Sequence, residues 1–175
     1  MKKWILALAV CGAVCSFALG AYDSCVLVDD GSGTDWVSDY PAPHCRRSID
    51  EITGLEFHHL MRSATRGTEH ENVIFLKELE ATSTRFWDAY NSFQILPRVT
   101  FSFFDPDPSG RLVLHHQVIL ERVRVLAIEL IDIEPTDGGG PRQPPRERIR
   151  LEYGTITIDV DGQSRTLTNP SGPQV

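Results

Sequence analysis

The chain has 175 residues, 41% of them hydrophobic and 23% charged, and its 24 acidic side chains outnumber 17 basic ones for a net charge of −7. That balance excludes a nucleic-acid binder, because phosphate recognition needs clustered Lys and Arg that release counterions, and here the arginines are scattered among carboxylates. The length allows one domain with a real core and is too short for two ordinary ones.

Lys2 and Lys3 precede an uncharged apolar run from Trp4 to Leu19, and small residues Ala18 and Gly20 stand before Ala21. This is the pattern of a secretory signal over residues 1–20, and the run is marginal for a bilayer, which takes roughly 20 apolar residues. Its removal takes two of the 17 basic residues and none of the 24 acids, deepening the charge from −7 to −9. The expected mature protein is soluble, free of the membrane, and periplasmic or secreted. Cys11 and Cys15 leave with the signal, so Cys25 and Cys45 remain. An oxidising compartment permits a disulfide between them. Two buried free thiols are the alternative.

A first strand is expected at Cys25–Val28, followed by a long loop through Asp29-Asp30-Gly31-Ser32-Gly33 and Tyr40-Pro41-Ala42-Pro43. Ile49–Met61 reads as a strand from its β-branched residues and Phe57, Ser63–Asn72 as an exposed polar loop, and Val73–Leu76 as a short apolar strand. Thr82-Ser83-Thr84 can cap a helix from Thr84 to Ser92, with Phe86, Trp87, Ala89, Tyr90 and Phe93 on an apolar side. From Arg98 the period becomes two, and the chain turns at Asp105-Pro-Asp-Pro-Ser-Gly110. Strands at Leu112–Leu120 and Val123–Ile133 follow, then a Pro- and Gly-rich loop from Pro135 to Pro145. A strand at Ile149–Val160, an Asp161-Gly162 turn and a returning strand at Ser164–Thr168 end the domain, residues 21–168, before a disordered tail at 169–175. Many strands, apolar on both faces, with one short helix predict a mainly β fold, an antiparallel barrel.

Three patterns invite a reading as chemistry. Asp105-Pro-Asp107-Pro-Ser109-Gly110 copies the start of a calcium loop, but His116 stands where a bidentate glutamate belongs and the prolines suit a turn. His58-His59 and His115-His116 supply imidazoles, yet neighbours on a strand point to opposite faces, so neither pair is expected to hold one ion. Asp137-Gly-Gly-Gly140 lacks the Lys-Ser/Thr end of a phosphate loop, and there is no Gly-x-Ser-x-Gly nucleophile motif. The expectation is no enzyme, no metal and no cofactor.

Phe75-Leu-Lys-Glu-Leu-Glu-Ala-Thr-Ser-Thr-Arg-Phe-Trp-Asp-Ala-Tyr90, Val99–Phe104, the strands from Leu112 to Ile133, and Glu147-Arg-Ile-Arg-Leu-Glu-Tyr-Gly-Thr-Ile156 follow one another in a familiar order. That order resembles the haemolysin-coregulated protein family, Hcp, the tube protein of type VI secretion systems, over roughly Val26 to Asp161. The resemblance implies a β-barrel with a flanking helix that assembles with itself into hexameric rings, stacking as a tube or carrying secreted protein cargo. It also implies that the loop from Met61 to Asn72, with Arg62, Arg66, Glu69 and His70, is a candidate ring-to-ring contact. A monomeric secreted binding module on the same barrel is the second reading. The signal pattern and the cysteine pair place either one outside the cytoplasm.

Overall fold

Strand β1 (Ser24–Asp29) and strand β2 (Ile52–His58) pair antiparallel, with Cys25 opposite Thr53 and Val26 opposite Ile52. The computed structural model describes residues 24–34, 36, 38, 45, 51–64, 67–131 and 144–173. The expected signal, most of the loop between the cysteines and most of the Pro135–Pro145 loop lie outside these residues. Within them follow β3 (Met61–Ala64), β4 (Gly67–His70), β5 (Val73–Glu78), α1 (Ala81–Asn91), β6 (Ile95–Pro106), β7 (Leu112–Ile131), β8 (Arg146–Val160) and β9 (Gln163–Thr168).

The strands hydrogen-bond in the order β5-β2-β1-β6-β7-β8-β9, and β5 also pairs with β8. That extra pairing closes six antiparallel strands into a barrel, as the alternation predicts. Closure removes the open edges that make an isolated sheet prone to aggregate. β8 serves two partners on one side. Its first residues, Arg146 to Leu151, pair with β5, and Thr155 to Val160 pair with β9. Tyr153 sits at the changeover.

Side chains alternating inward along the strands fill the barrel. Phe75, Phe101, Leu120, Ile149, Leu151 and Ile156 are among the fully buried ones. Phe101 meets Phe75 and Phe57 edge to face at 5.3 and 4.8 Å between ring centres. Such pairs contribute about 0.5–1.5 kcal/mol each beyond the area they bury. Helix α1 packs onto the barrel core through Phe86, which meets both Trp36 and Phe75 edge to face. Trp36 and Phe104 are therefore core, whereas Trp87 is 38% exposed.

Four sequence readings are corrected. The helix begins three residues earlier than expected, because Ser83 does not cap it but accepts a hydrogen bond from the Glu80 backbone N–H at 3.0 Å, three residues back. The two strands expected between Leu112 and Ile133 are one strand of 20 residues. The apparent break between them is Arg122, whose φ of 53° bends the ribbon without ending it. The expected loop Ser63–Asn72 is largely a hairpin, β3 against β4, with Met61 opposite His70 and Arg62 opposite Glu69. Its polar composition hides it, since no apolar alternation marks either strand in the sequence. Finally, the segment expected to be a disordered tail starts as a fastened turn. Asn169 is buried, its backbone N–H donates to the Gly154 carbonyl at 2.8 Å and its side-chain amide to the Tyr153 carbonyl at 3.0 Å. A side chain at Gly172 would collide with that same Tyr153 carbonyl, so the turn needs glycine there.

Candidate functional site

Cys25 and Cys45 form a disulfide, with Cα atoms 5.2 Å apart. Both are buried, and Phe104 and Leu112 pack against them. Glu51 lies close enough to complete a three-ligand group with the two sulfurs, but bonded sulfurs are not thiolates and do not bind metal.

The expected contact loop is the β3–β4 hairpin, which pairs with no barrel strand. Glu69 is exposed, the Cα of Arg62 faces that of Glu69 across the hairpin, and Arg66 lies outside the described residues. His70 is not free for a partner. Its Nδ1 lies 3.0 Å from the Tyr153 hydroxyl, and Nε2 of His59, at the other foot of the hairpin, lies 2.7 Å from the same oxygen. The Glu71 N–H donates to the Leu60 carbonyl at 3.0 Å and ties the two feet together. One phenol thus fastens the hairpin to the barrel at the place where β8 changes partners. A hydroxyl has one proton to give, so it donates to one imidazole and accepts from the other. Burial is the first cause that lowers the His59 pKa, followed by the charges of His70 and His58, with Glu71 acting the other way. Burial also pushes the Tyr153 phenol up to about 12, which is the wrong direction for a phenolate metal ligand. Sequence reasoning did not single out Tyr153, because nothing in a strand pattern marks the residue at which a barrel strand changes neighbours. Beside the hairpin, Met61 shares an apolar groove of about 490 Å³ with Ile158, Val160 and Leu167.

At the opposite end of the β5–β8 pairing, Lys77 and Glu147 face each other in register and are both fully buried. Lys77 donates to Glu147 Oε1 at 3.0 Å, to the Ser83 hydroxyl at 3.0 Å and to the Glu78 carbonyl at 2.7 Å. Trp87 donates to the second Glu147 oxygen at 3.2 Å. All three ammonium protons are used, which is what makes a buried charge tolerable.

The calcium-like segment is a turn, as read. Asp107 Oδ1 accepts from the Ser109 and Arg111 N–H groups at 2.9 and 3.0 Å and from the Ser109 hydroxyl at 2.5 Å. These bonds, the Ser109 hydroxyl first, lower the Asp107 pKa. His115 and His116 correct the expectation that strand neighbours diverge. β6 and β7 slip register between Phe103 and Phe104, so Phe103 faces His116 and Phe104 faces Leu114, with His115 the extra residue of a bulge. The bulge re-aims the side chains, and the two Nδ1 atoms lie 2.9 Å apart. A groove of about 430 Å³ over β5, lined by Glu56, His58, Glu129, Arg148 and Arg150, carries an Arg148–Glu129 ion pair at 2.7 Å. Among the described residues, no helix is long and apolar enough to cross a membrane.

Comparison with solved structures returns this same barrel. The chain is similar to the Hcp1 protein of Escherichia coli EAEC 042, at 17% identity and a TM-score of 0.72, covering 85% of this chain and 99% of that one. It is similar to the secreted protein Hcp3 of Pseudomonas aeruginosa, at 14% identity and a TM-score of 0.71, covering 86% and 100%. Hcp1 of Flavobacterium johnsoniae is more distant, at 12% identity and a TM-score of 0.51, covering 82% and 98%. Comparison with curated protein sequences gives no match. At these identities the structural likeness speaks for the fold, and the sequence family supplies the rest. The family described as type VI secretion system effector, Hcp, matches residues 50–160, more than half of the chain, and the protein belongs to that family.

Proposed function

We propose that this Hcp protein works outside the cytoplasm as a structural, ring-forming protein, a hexamer of itself that stacks or carries a secreted protein, and that it catalyses no reaction. The observation that carries the reading is the family match over a closed barrel that still leaves large apolar side chains on its outside. Phe93 is 75% exposed, and Trp87, Tyr90 and Ile95 are also exposed around the end of α1. Exposed clusters of this kind mark surfaces that are covered in an assembly. Export is supported by the Lys2–Gly20 pattern, and by a disulfide that an oxidising compartment would preserve.

The β3–β4 hairpin is the ring-to-ring contact in this reading. With His70 committed to Tyr153, the contact falls to Arg62, Arg66 and Glu69. Light scattering coupled to size exclusion tests the assembly: a hexamer mass is expected, and a monomer at every concentration would favour a monomeric binding module. Glu69→Lys is expected to leave the hexamer intact while abolishing its stacking, read as loss of species larger than one ring.

A further inference from the structure

Just beyond α1 stands an apolar side chain that an isolated subunit would not favour. Phe93 is 75% exposed, and its backbone φ of 55° is one that glycine adopts freely and phenylalanine rarely. Exposure and strain both count against this residue in a monomer, and positions of this kind recur where a surface is used.

The groove beside the β3–β4 hairpin offers a counterpart. Met61, Ile158, Val160 and Leu167 give it an apolar lining, and its volume of about 490 Å³ is in the range of sites that take a ligand. Ile158 lies opposite Arg165 and Val160 opposite Gln163 across β8 and β9. Arg165 is the charged residue of the lining, and among the described residues it has no ion pair. On the last turns of α1, Asp88 is exposed and also has no ion pair among the described residues, while the charge of Arg85, one turn back, acts on Asp30. The two surfaces thus match in apolar character and oppose each other in charge.

A chain does not fill its own groove. Ile95, two residues after Phe93, faces Arg124 on β7, whereas Ile158 faces Val118. Those two β7 positions are about 20 Å apart along the strand, further than a phenylalanine side chain reaches. Unlike surfaces at the two ends of one strand ladder make a heterologous contact between copies. We propose that the groove of one copy receives Phe93 of a second copy as an aromatic anchor, with Asp88 of the second copy paired to Arg165 of the first. The contact rests on the stacked assembly proposed above, in which it lies between rings, beside the β3–β4 hairpin.

The test places the photoreactive analogue p-benzoylphenylalanine at position 93 of the exported chain. Irradiation followed by tryptic mapping is expected to join that residue to Leu151–Arg165 or to the peptide that follows it, in another chain. Adducts only to other segments, or no adduct between chains, would overturn the contact. Phe93→Gly and Val160→Glu, the latter at an exposed position of the groove, should each abolish species larger than one ring while the hexamer mass is kept. Mixed together, the two variants retain one anchor and one groove between them, so they should form paired rings that grow no further. Hexamers that stack normally with either change would overturn the contact and leave the ring reading standing. A monomeric wild type would remove the ring reading, and the cross-link would then decide the contact by itself. Asp88→Lys and Arg165→Glu should each reduce stacking, and the double variant should regain it; a double variant no better than either one would remove the ion pair from the contact.

Discussion

The two ends of the β5–β8 seam hold the barrel by opposite means. At one end Lys77 and Glu147 form a fully buried ion pair with every ammonium proton engaged. At the other, one phenol joins two histidines by hydrogen bonds with no ion pair between them. The first end ties α1, β5 and β8 into the core, and the second attaches a hairpin that belongs to no barrel strand. A barrel can thus have one end locked by charge and another whose fastening depends on protonation.

The largest expected effect lies at the locked end. Lys77→Met leaves Glu147 buried without its cation and should cost about 3–5 kcal/mol, read as a lowered denaturation midpoint. A loss below about 1 kcal/mol would mean that the node is not the lock, and the contrast between the ends would fail. Reducing the Cys25–Cys45 bond, which spans a sequence separation of 20, should cost about 3 kcal/mol from chain entropy. That loss belongs to the β1 side of the barrel and should leave the hairpin attached.

The responsive end follows with smaller effects. Tyr153→Phe removes the shared hydroxyl and should cost about 1–2 kcal/mol at neutral pH, concentrated in faster amide exchange of Met61–Ala64 and Gly67–His70. For acid the sign is set by His59, whose folded pKa lies below the ordinary 6.5. Unfolding or hairpin release therefore takes up protons. The stabilisation is complete above about pH 6.5 and is lost as pH falls from there through the lowered folded value. Once His59 is protonated its Nε2 can only donate, and the phenol loses one of its two possible acceptors. Hairpin protection, corrected for intrinsic exchange, should fall as pH drops below about 6.5 while protection of β7 is retained. Hairpin protection that is lost only together with that of β7 as pH falls would sink the contrast. The smallest effect is at Phe93, whose φ of 55° is one that glycine adopts freely after a helix. Phe93→Gly should stabilise the isolated subunit by up to about 1 kcal/mol, while weakening any assembly that buries the ring.

The barrel was legible where one face of each strand is buried. Val99, Phe101 and Phe103 alternate because the core demands it, and Asp161-Gly162 turns because both residues take positive φ, 52° and 77°. What escaped was decided by neighbours distant in sequence. The β3–β4 hairpin carries no apolar alternation in its sequence, so nothing in its composition separates it from a loop. Tyr153 reads as one more inward residue of β8 until the partner strand changes beside it. His115 and His116 appear to diverge, and only the slip between Phe103 and Phe104 turns them together. Arg122 shows the converse case, a break in pattern that is a bend in a continuous strand. The family resemblance was carried by strand order, which the barrel bears out. Arg62, Arg66 and Glu69 were named by that resemblance alone.

Native mass spectrometry of the protein collected from the periplasm tests the central claim most directly, because one spectrum reports assembly, processing and oxidation together. The account predicts a hexamer whose chains begin at or near Ala21 and are two hydrogens lighter than the reduced sequence. A monomer, or chains that retain Lys2 and Lys3 with free thiols at Cys25 and Cys45, would contradict it.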